Sequence, residues 1–349
     1  MADANAVLES KVLSWGRATL GWLGRHQNKL WWLHSLYALL LGVGFMWLGK
    51  RNFSYLRVAV FHIGFIWLSS FLLPRWVKHP RLTVKWAARL QLVVNFLNKN
   101  LYQQMLFFVL PIYYASATAG SPNMLFVILV ALSALLATAD IVYDRHLSVR
   151  HTATAVFFAF NLFALGSVML PVVWSVSNTT ATRLAGALAL LGFLTLSYSA
   201  QPWTRRLTRS LTAALVVISL VELGRPFIPP APLRIASGQV GTDFDRATLQ
   251  IVGPMTALPA AESLRVYGLT AVQAPLGLQE RLQHRWYLNG RLIFASPFYN
   301  VVGGREEGFR LWTTCALMNV RQPMTLRLEL RTEGGQLVGR TDLKTRRSG

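Results

Sequence analysis

The chain has 349 residues, of which 53% are hydrophobic and only 14% charged, and its formal net charge is +21. A soluble domain normally has about a quarter of its residues charged, so this composition argues against a purely soluble protein. The positive charge does not form a nucleic-acid patch, because residues 1–235 hold 21 of the Lys and Arg residues, placed between apolar blocks. We therefore expect no nucleic-acid partner.

Seven apolar blocks are candidate membrane spans. The first, Leu30–Leu48, has 19 residues without a charge, which is long enough to cross a bilayer core of about 30 Å. The others are Leu56–Leu73, Leu101–Ala117, Met124–Val142, Ala153–Val173, Leu184–Ala200 and Leu211–Leu223. The pattern predicts an α-helical membrane bundle of about seven helices over residues 30–225. Residues 1–29 are expected to form a basic amphipathic arm. Residues 75–100, between the second and third blocks, are expected to form an interfacial segment or an extension of the third span into the cytoplasm.

The distribution of cations predicts the orientation of these blocks. With the chain alternating sides, fifteen Lys and Arg residues fall on one side and four on the other. The positive-inside rule then places the N-terminus in the cytoplasm and the C-terminal region on the opposite side of the membrane. The last block, Leu211–Leu223, is short. If it only dips into the membrane, the C-terminal region stays cytoplasmic.

The sequence pattern changes from helical to alternating after the proline-rich linker at residues 226–236. Thr325–Arg331 alternates leucines with polar residues, as a half-buried strand does, and Asn289-Gly290 is typical of a type I′ hairpin turn. Five to eight short strands with almost no helical period predict a small all-β, sandwich-like domain over residues 237–349.

The same region resembles a known bacterial domain in its short motifs. These are His284-Arg-Trp286, Gly290, Gly303-Gly304-Arg305, Arg310-Leu-Trp312-Thr-Thr, and the late glycines Gly334, Gly335 and Gly339. Over Leu282–Lys344 the chain resembles the bacterial domain of unknown function 2914, although Trp312-Thr-Thr-Cys315 departs from its usual Trp-Ser-Ser-Lys pattern. The resemblance implies a multi-pass inner-membrane protein and no catalytic residue.

Several polar residues of the membrane region are candidates for function. Arg57, His62 and Glu222 lie within or at the ends of predicted spans, where ionisable groups are costly and therefore suggest a function. Asp140, Asp144 and His146 fall in a predicted cytoplasmic loop. Asp140 and Asp144 share a helix face and could hold a hard cation, although a helix end at the interface with arginine counter-charges explains them better.

In the β-domain, Arg310, Trp312 and Thr314 are expected on one face of a strand, where an exposed aromatic beside an arginine could bind a ligand. An edge-covering tryptophan is the simpler explanation of Trp312. His284 is a further candidate, although it shares a face with Trp286, which core packing explains well.

The sequence favours a membrane-anchored binding or scaffold protein without enzymatic activity. Its periplasmic domain would engage an envelope glycan, lipid or protein, and a homo-oligomer is left open. A transporter or channel, and a membrane enzyme acting on lipid head groups through Asp140 and Asp144, are the alternatives. We expect no cofactor and no metal. Cys315 is the only cysteine, which excludes an intramolecular disulfide.

Overall fold

The computed structural model describes residues 105–138, 150–197, 203–320 and 324–345, together with the single positions 40 and 147. The basic arm, the first two predicted spans (apart from Leu40) and the predicted interfacial segment 75–100 lie outside the described residues. So do five candidate site residues, Arg57, His62, Asp140, Asp144 and His146.

The described part of the chain contains five α-helices. They are α1 (Met105–Ser116), α2 (Met124–Thr138), α3 (His151–Trp174), α4 (Asn178–Leu196) and α5 (Trp203–Gly224). A 3₁₀ turn at Arg225–Phe227 follows α5. Ser177 caps α4, because its hydroxyl accepts a hydrogen bond of 3.2 Å from the Thr180 N–H.

The prediction of a seven-span bundle is wrong. Only α3, α4 and α5 are long and apolar enough to cross a membrane among the described residues, and two antiparallel sheets make up much of the remainder. The predicted third and fourth spans correspond to the shorter helices α1 and α2. Among the described residues, α1 has 12 residues and α2 has 15, which is too few to cross a bilayer core of about 30 Å, and hydropathy does not show that such a helix packs against protein. The Tyr113 side chain on α1, for example, is fully buried in the helical core.

The predicted last span was too short rather than too long. The apolar block Leu211–Leu223 is the second part of α5, which begins at Trp203 and has 22 residues. The first turns of α5 carry Arg205 and Arg206, and these cations hid the helix from a search for uncharged runs.

The C-terminal region is rich in β-structure, as predicted. Its strands are β1 (Arg234–Asp245), β2 (Gln250–Pro254), β3 (Ala261–Gln273), β4 (Arg281–Leu288), β5 (Arg291–Ala295), β6 (Tyr299–Asn300), β7 (Phe309–Val320), β8 (Thr325–Thr332) and β9 (Leu337–Lys344). One sheet has the order β2-β1-β3-β7, and the other has the order β5-β4-β8-β9 with β6 also pairing with β4. Every strand pair is antiparallel.

The two sheets enclose a common core. Leu326, Leu328 and Leu330 of β8 are all buried, as their alternation predicts. Trp286 is fully buried, and the facing strand makes room for its ring with a glycine. A Cβ atom at Gly268 would lie 2.6 Å from Trp286 Cζ2, so only a residue without a side chain fits there.

The proline-rich linker is part of the packed structure. All six residues from Ile228 to Leu233 are buried. Ile228 and Ala231 belong to the helical core, whereas Leu233 belongs to the core of the sandwich. The linker therefore joins the two cores, and β1 starts directly after it at Arg234.

Hydrogen bonds fasten the sandwich to the turns at one end of the helices. In the α1–α2 turn, Asn123 Nδ2 donates to the Leu337 carbonyl at 3.1 Å, and the Arg340 guanidinium donates back to the carbonyl of Gly120 at 3.2 Å. Beyond α5, Gln336 Nε2 donates to the Ile228 carbonyl at 3.0 Å. The α1–α2 turn, the α3–α4 turn and the end of α5 therefore all lie at the end of the helices that meets the sandwich.

Candidate functional site

His284 lies at the centre of a polar network inside the sandwich. Its Nε2 and Nδ1 lie 2.8 Å from Thr270 Oγ1 and 2.9 Å from Thr313 Oγ1. Thr313 Oγ1 also accepts a hydrogen bond of 2.9 Å from the indole N–H of Trp286. Two β-strands from one sheet and one from the other thus share a single hydrogen-bonded cluster.

Burial lowers the pKa of His284 from 6.5 to about 3, because the apolar core disfavours the charged imidazolium. The imidazole is therefore neutral at physiological pH, and it is fully buried. A neutral, solvent-sealed ring between two hydroxyls joins the two sheets but cannot reach a ligand. The structure thus places His284 away from the other ligand-binding candidates.

Trp312 lies on β7, on the face opposite to that of its neighbour Thr313, and is half-buried. The hairpin that joins β1 to β2 covers it, because Phe244 stacks on the indole with a centroid distance of 4.7 Å and an interplanar angle of 26°. The guanidinium of Arg246, at the tip of the hairpin, lies 5.7 Å from the centre of the indole ring. Ile251 and Leu269 complete this second apolar cluster.

Arg310 and Thr314 flank Trp312, as the alternation predicts. Arg310 binds the same hairpin through the Thr248 carbonyl at 3.0 Å, and it pairs with Glu307 at 2.8 Å. Thr314 is exposed, and its hydroxyl donates to the Val266 carbonyl at 3.1 Å. We call Arg246, Arg310, Trp312 and Thr314 the Trp312 surface. It combines an aromatic ring with two arginines, which suits contact with a sugar, carboxylate or phosphate group.

Glu222 lies in the last turn of α5 and pairs with two arginines. Its carboxylate accepts hydrogen bonds from Arg183 of α4 at 2.7 Å and from Arg225. The carboxylate is partly exposed, and Arg225 is wedged beside Gly334 of the sandwich. This ion-pair cluster ties two helix ends to the sandwich, so its position explains Glu222 without a transport role.

Glu280 is a buried carboxylate at the boundary of the two regions. Its Oε2 accepts a hydrogen bond of 2.7 Å from the backbone N–H of Asn178, the first residue of α4. Burial raises the pKa of Glu280, and the hydrogen bonds from Asn178 and Arg281 oppose this effect. The residue therefore links the sandwich to the start of a membrane-length helix.

A groove of about 950 Å³ lies between α2 and α3, towards the end of the helices away from the sandwich. The described residues that line it are mostly apolar, and Arg150 is the one charged residue among them. In the part of the chain that the structure describes, no three His, Cys, Asp or Glu side chains gather in a group able to hold a metal ion.

Sequence reasoning missed Glu280, the hairpin over Trp312 and the buried Asn161. Asn161 had a visible signal, because it is an amide in the middle of an apolar block. Glu280 had none, since one glutamate in a polar loop does not reveal that a distant helix will begin against it. The stacking of Phe244 on Trp312 also depends on tertiary structure alone.

Comparison with known proteins gives one family match. The profile of a family of unknown function, DUF5924, matches residues 14–271, which include the five described helices, β1, β2 and all but the last two residues of β3. The comparison with curated proteins finds no match. A solved structure of the Pseudomonas fluorescens alkylpurine DNA glycosylase AlkC, bound to DNA containing an abasic site analogue, is similar at 11% identity. That similarity covers 91% of this chain and 99% of the glycosylase, but its TM-score of 0.21 is too low to support an argument.

Proposed function

The chain belongs to the family of unknown function DUF5924, and we propose that it is a membrane-anchored binding protein whose β-sandwich engages an envelope component. The anchor consists of α3, α4 and α5, and the binding element is the Trp312 surface. We infer a bacterial inner-membrane location with a periplasmic sandwich. The motifs that resemble the domain of unknown function 2914 begin after the family match ends, and we propose that they mark the second half of the sandwich.

Helix α5 supports the membrane placement. Only 6% of its most apolar stretch is buried by protein, compared with 67% for α3. Side chains such as Leu215 and Leu220 are 66% and 67% exposed, and a helix with this much uncovered apolar surface is stable in lipid rather than in water.

The arginines of the helical region support the orientation. Arg205, Arg206 and Arg209 lie in the first two turns of α5, whereas the sandwich follows its other end. A helix of 22 residues separates these ends by about 33 Å, which matches the thickness of a bilayer core. By the positive-inside rule, the arginine end faces the cytoplasm and the sandwich faces the periplasm.

The observation that carries the proposal is the rigid attachment of the sandwich, with the Trp312 surface left on an outer face. The buried linker and the hydrogen bonds of Asn123, Gln336 and Glu280 fix the sandwich to the helix ends. None of the docking contacts named above involves Trp312. A surface held in a fixed position above a membrane is a geometry suited to binding rather than to transport.

Photo-crosslinking in cells tests this function. A photoreactive amino acid at the exposed position Thr314, beside the indole, is compared with the same group at Met318, which is 72% exposed on the same strand. We expect a discrete adduct of glycan, lipid or protein composition at position 314, none at 318, and loss of the adduct with Trp312→Ala. Equal adducts at both positions, or an adduct that persists in Trp312→Ala, would contradict the proposal.

A further inference from the structure

Two loops of the sandwich are packed together beside the helix ends. One is the β3–β4 loop at residues 274–280, and the other is the β6–β7 loop at residues 301–308. The Gly304 N–H donates to the Ala274 carbonyl at 2.9 Å. A Cβ atom at Gly303 would lie 1.9 Å from the Pro275 carbonyl oxygen, so the two backbones touch. The pair therefore forms one rigid unit.

This rigid unit holds apolar side chains out from the protein. Leu276 is 82% exposed, the largest exposed fraction among the large hydrophobic residues that the structure describes, and Val302 is 50% exposed. Gly277 at φ +82° and Gly304 at φ +83° set the turns that present them. The backbone contacts between the two loops hold both residues at the surface of the sandwich. We call Leu276 and Val302 the loop tip.

The loop tip lies at the level where the helices end. A Cβ atom at Gly277 would lie 3.0 Å from Ser175 Oγ in the α3–α4 turn. The preceding residue, Trp174, ends α3 and is 62% exposed. Tryptophan at the end of an apolar helix is typical of the membrane–water interface, so the tip lies next to an interfacial residue.

We propose that the loop tip is a second membrane contact, which inserts Leu276 and Val302 into the interface of the bilayer that α3, α4 and α5 cross. This inference rests on the proposed membrane placement. A lipid surface fits better than a second copy of the chain, because two side chains offer much less area than a stable protein interface requires. A lipid contact needs no such area, since the helices already hold the tip at the bilayer. The contact would fix the tilt of the sandwich and hence the height of the Trp312 surface.

Fluorescence quenching on the full chain tests the inference. An environment-sensitive nitrobenzoxadiazole label is attached to a cysteine introduced by Leu276→Cys or Val302→Cys. Leu215→Cys on α5 is the control for lipid exposure, and Met318→Cys is the exposed control far from the helix ends. The native Cys315 is buried, and burial raises the pKa of its thiol, so this cysteine should react slowly with the label. Labelling of the unsubstituted chain measures the background signal from Cys315.

The labelled proteins are placed in nanodiscs of phosphatidylethanolamine and phosphatidylglycerol, with or without bromine in the upper acyl chains. We expect labels at positions 276 and 302 to emit at shorter wavelength than the label at 318. Brominated lipid should quench them about twofold more than the label at 318, because an inserted side chain lies at the boundary of the headgroups and acyl chains, close to the bromine atoms. Labels that behave like the one at 318 would overturn the lipid contact. A blue-shifted but unquenched label would also overturn it, because a protein surface would then cover the tip.

The label at position 215 separates this inference from the function on which it rests. Quenching at 215 without quenching at 276 and 302 rejects the loop tip alone. Absence of quenching at 215 rejects the membrane placement, and the loop tip is rejected with it.

Discussion

The sandwich and the helices treat buried polar side chains differently. In the sandwich, both ring nitrogens of His284 have hydroxyl partners, and one of these hydroxyls also satisfies the indole of Trp286. In the helical region, Asn161 of α3 is fully buried, yet neither its amide oxygen nor its amide nitrogen has a hydrogen-bond partner in the described structure.

This difference shows how far each region satisfies its own buried polar groups. A buried polar group normally finds a partner, and one without a partner costs stability. The sandwich satisfies the network around His284 internally, and its unpartnered buried amide oxygen, Gln336 Oε1, belongs to a side chain that contacts the linker rather than to this central network. The helical region has an unsatisfied amide in its core and apolar side chains on its surface. Both features indicate that the described helices need further surroundings, such as a bilayer or a bound molecule.

Among the substitutions that test this comparison, Trp286→Ala should lower the free energy of unfolding the most. It empties the space between Gly268 and Leu328 and removes the donor to Thr313, and truncating a buried tryptophan costs about 3–5 kcal/mol. The measurement is denaturant unfolding of the full chain in nanodiscs, with near-ultraviolet circular dichroism as the signal. Met318→Ala on an exposed site is the control and should change the unfolding free energy by less than about 0.5 kcal/mol. Equal effects would show that the sandwich has no dominant core.

Glu280 tests the contact between the sandwich and the helices. Glu280→Ala leaves the Asn178 N–H without its acceptor and should cost about 1–3 kcal/mol in the same unfolding measurement. Glu280→Gln keeps an acceptor oxygen and should retain stability near neutral pH. Limited proteolysis of the 226–236 linker should be faster in the alanine variant only. Equal stability of the alanine variant and the unsubstituted chain would show that the two regions are held together elsewhere.

The raised pKa of Glu280 gives this contact a pH dependence of known sign. The folded protein keeps the proton at pH values where the unfolded chain has lost it. The contribution of Glu280 to stability therefore decreases as the pH rises from the ordinary glutamate pKa of 4.5 through the raised folded value. Glu280→Gln should abolish this part of the pH dependence, which is the check that the carboxyl is responsible.

His284 predicts the opposite trend within the sandwich. The unfolded chain binds a proton on this residue below pH 6.5, but the folded sandwich does not do so until about pH 3. Stability is therefore lost as the pH falls through this range, by about 1.4 kcal/mol for each pH unit. Unfolding at several mildly acidic pH values measures the slope, and His284→Gln should flatten it. An unchanged slope in the variant would mean that other groups cause the acid sensitivity.

The sequence predicted local structure well and tertiary relations poorly. Alternation identified the β-rich region, and Asn289-Gly290 does form the predicted turn, with φ values of 51° and 81°. Hydropathy located apolar helices but could not count spans, because α1 is as apolar as a membrane helix and yet is packed in a protein core. The prolines of the linker predicted a separate spacer, but in the structure the linker is buried. This burial depends on the two cores on either side of it, which come together only in the folded protein.

The candidate site illustrates the same limit. Alternation correctly placed Arg310, Trp312 and Thr314 on one side of β7, since that follows from a period of two. It could not predict that the β1–β2 hairpin would fold over the indole. Conversely, His284 was a candidate because histidine is chemically versatile, and only its burial between two sheets shows that it is a core residue.

Substitution of Asn161 should change the free energy of unfolding the least, and it tests directly whether the helical core contains an unsatisfied polar group. If the Asn161 amide also lacks a partner in the native protein, Asn161→Leu removes an uncompensated desolvation cost and should raise the unfolding free energy by about 1 kcal/mol. The measurement is thermal or denaturant unfolding of the full chain in nanodiscs, with Asn161→Asp as the opposite change, which should destabilise because it buries a charge. A loss of stability in Asn161→Leu would show that the amide does bind a partner. The helical region would then be as well satisfied as the sandwich, and Asn161 would become the place to look for its ligand.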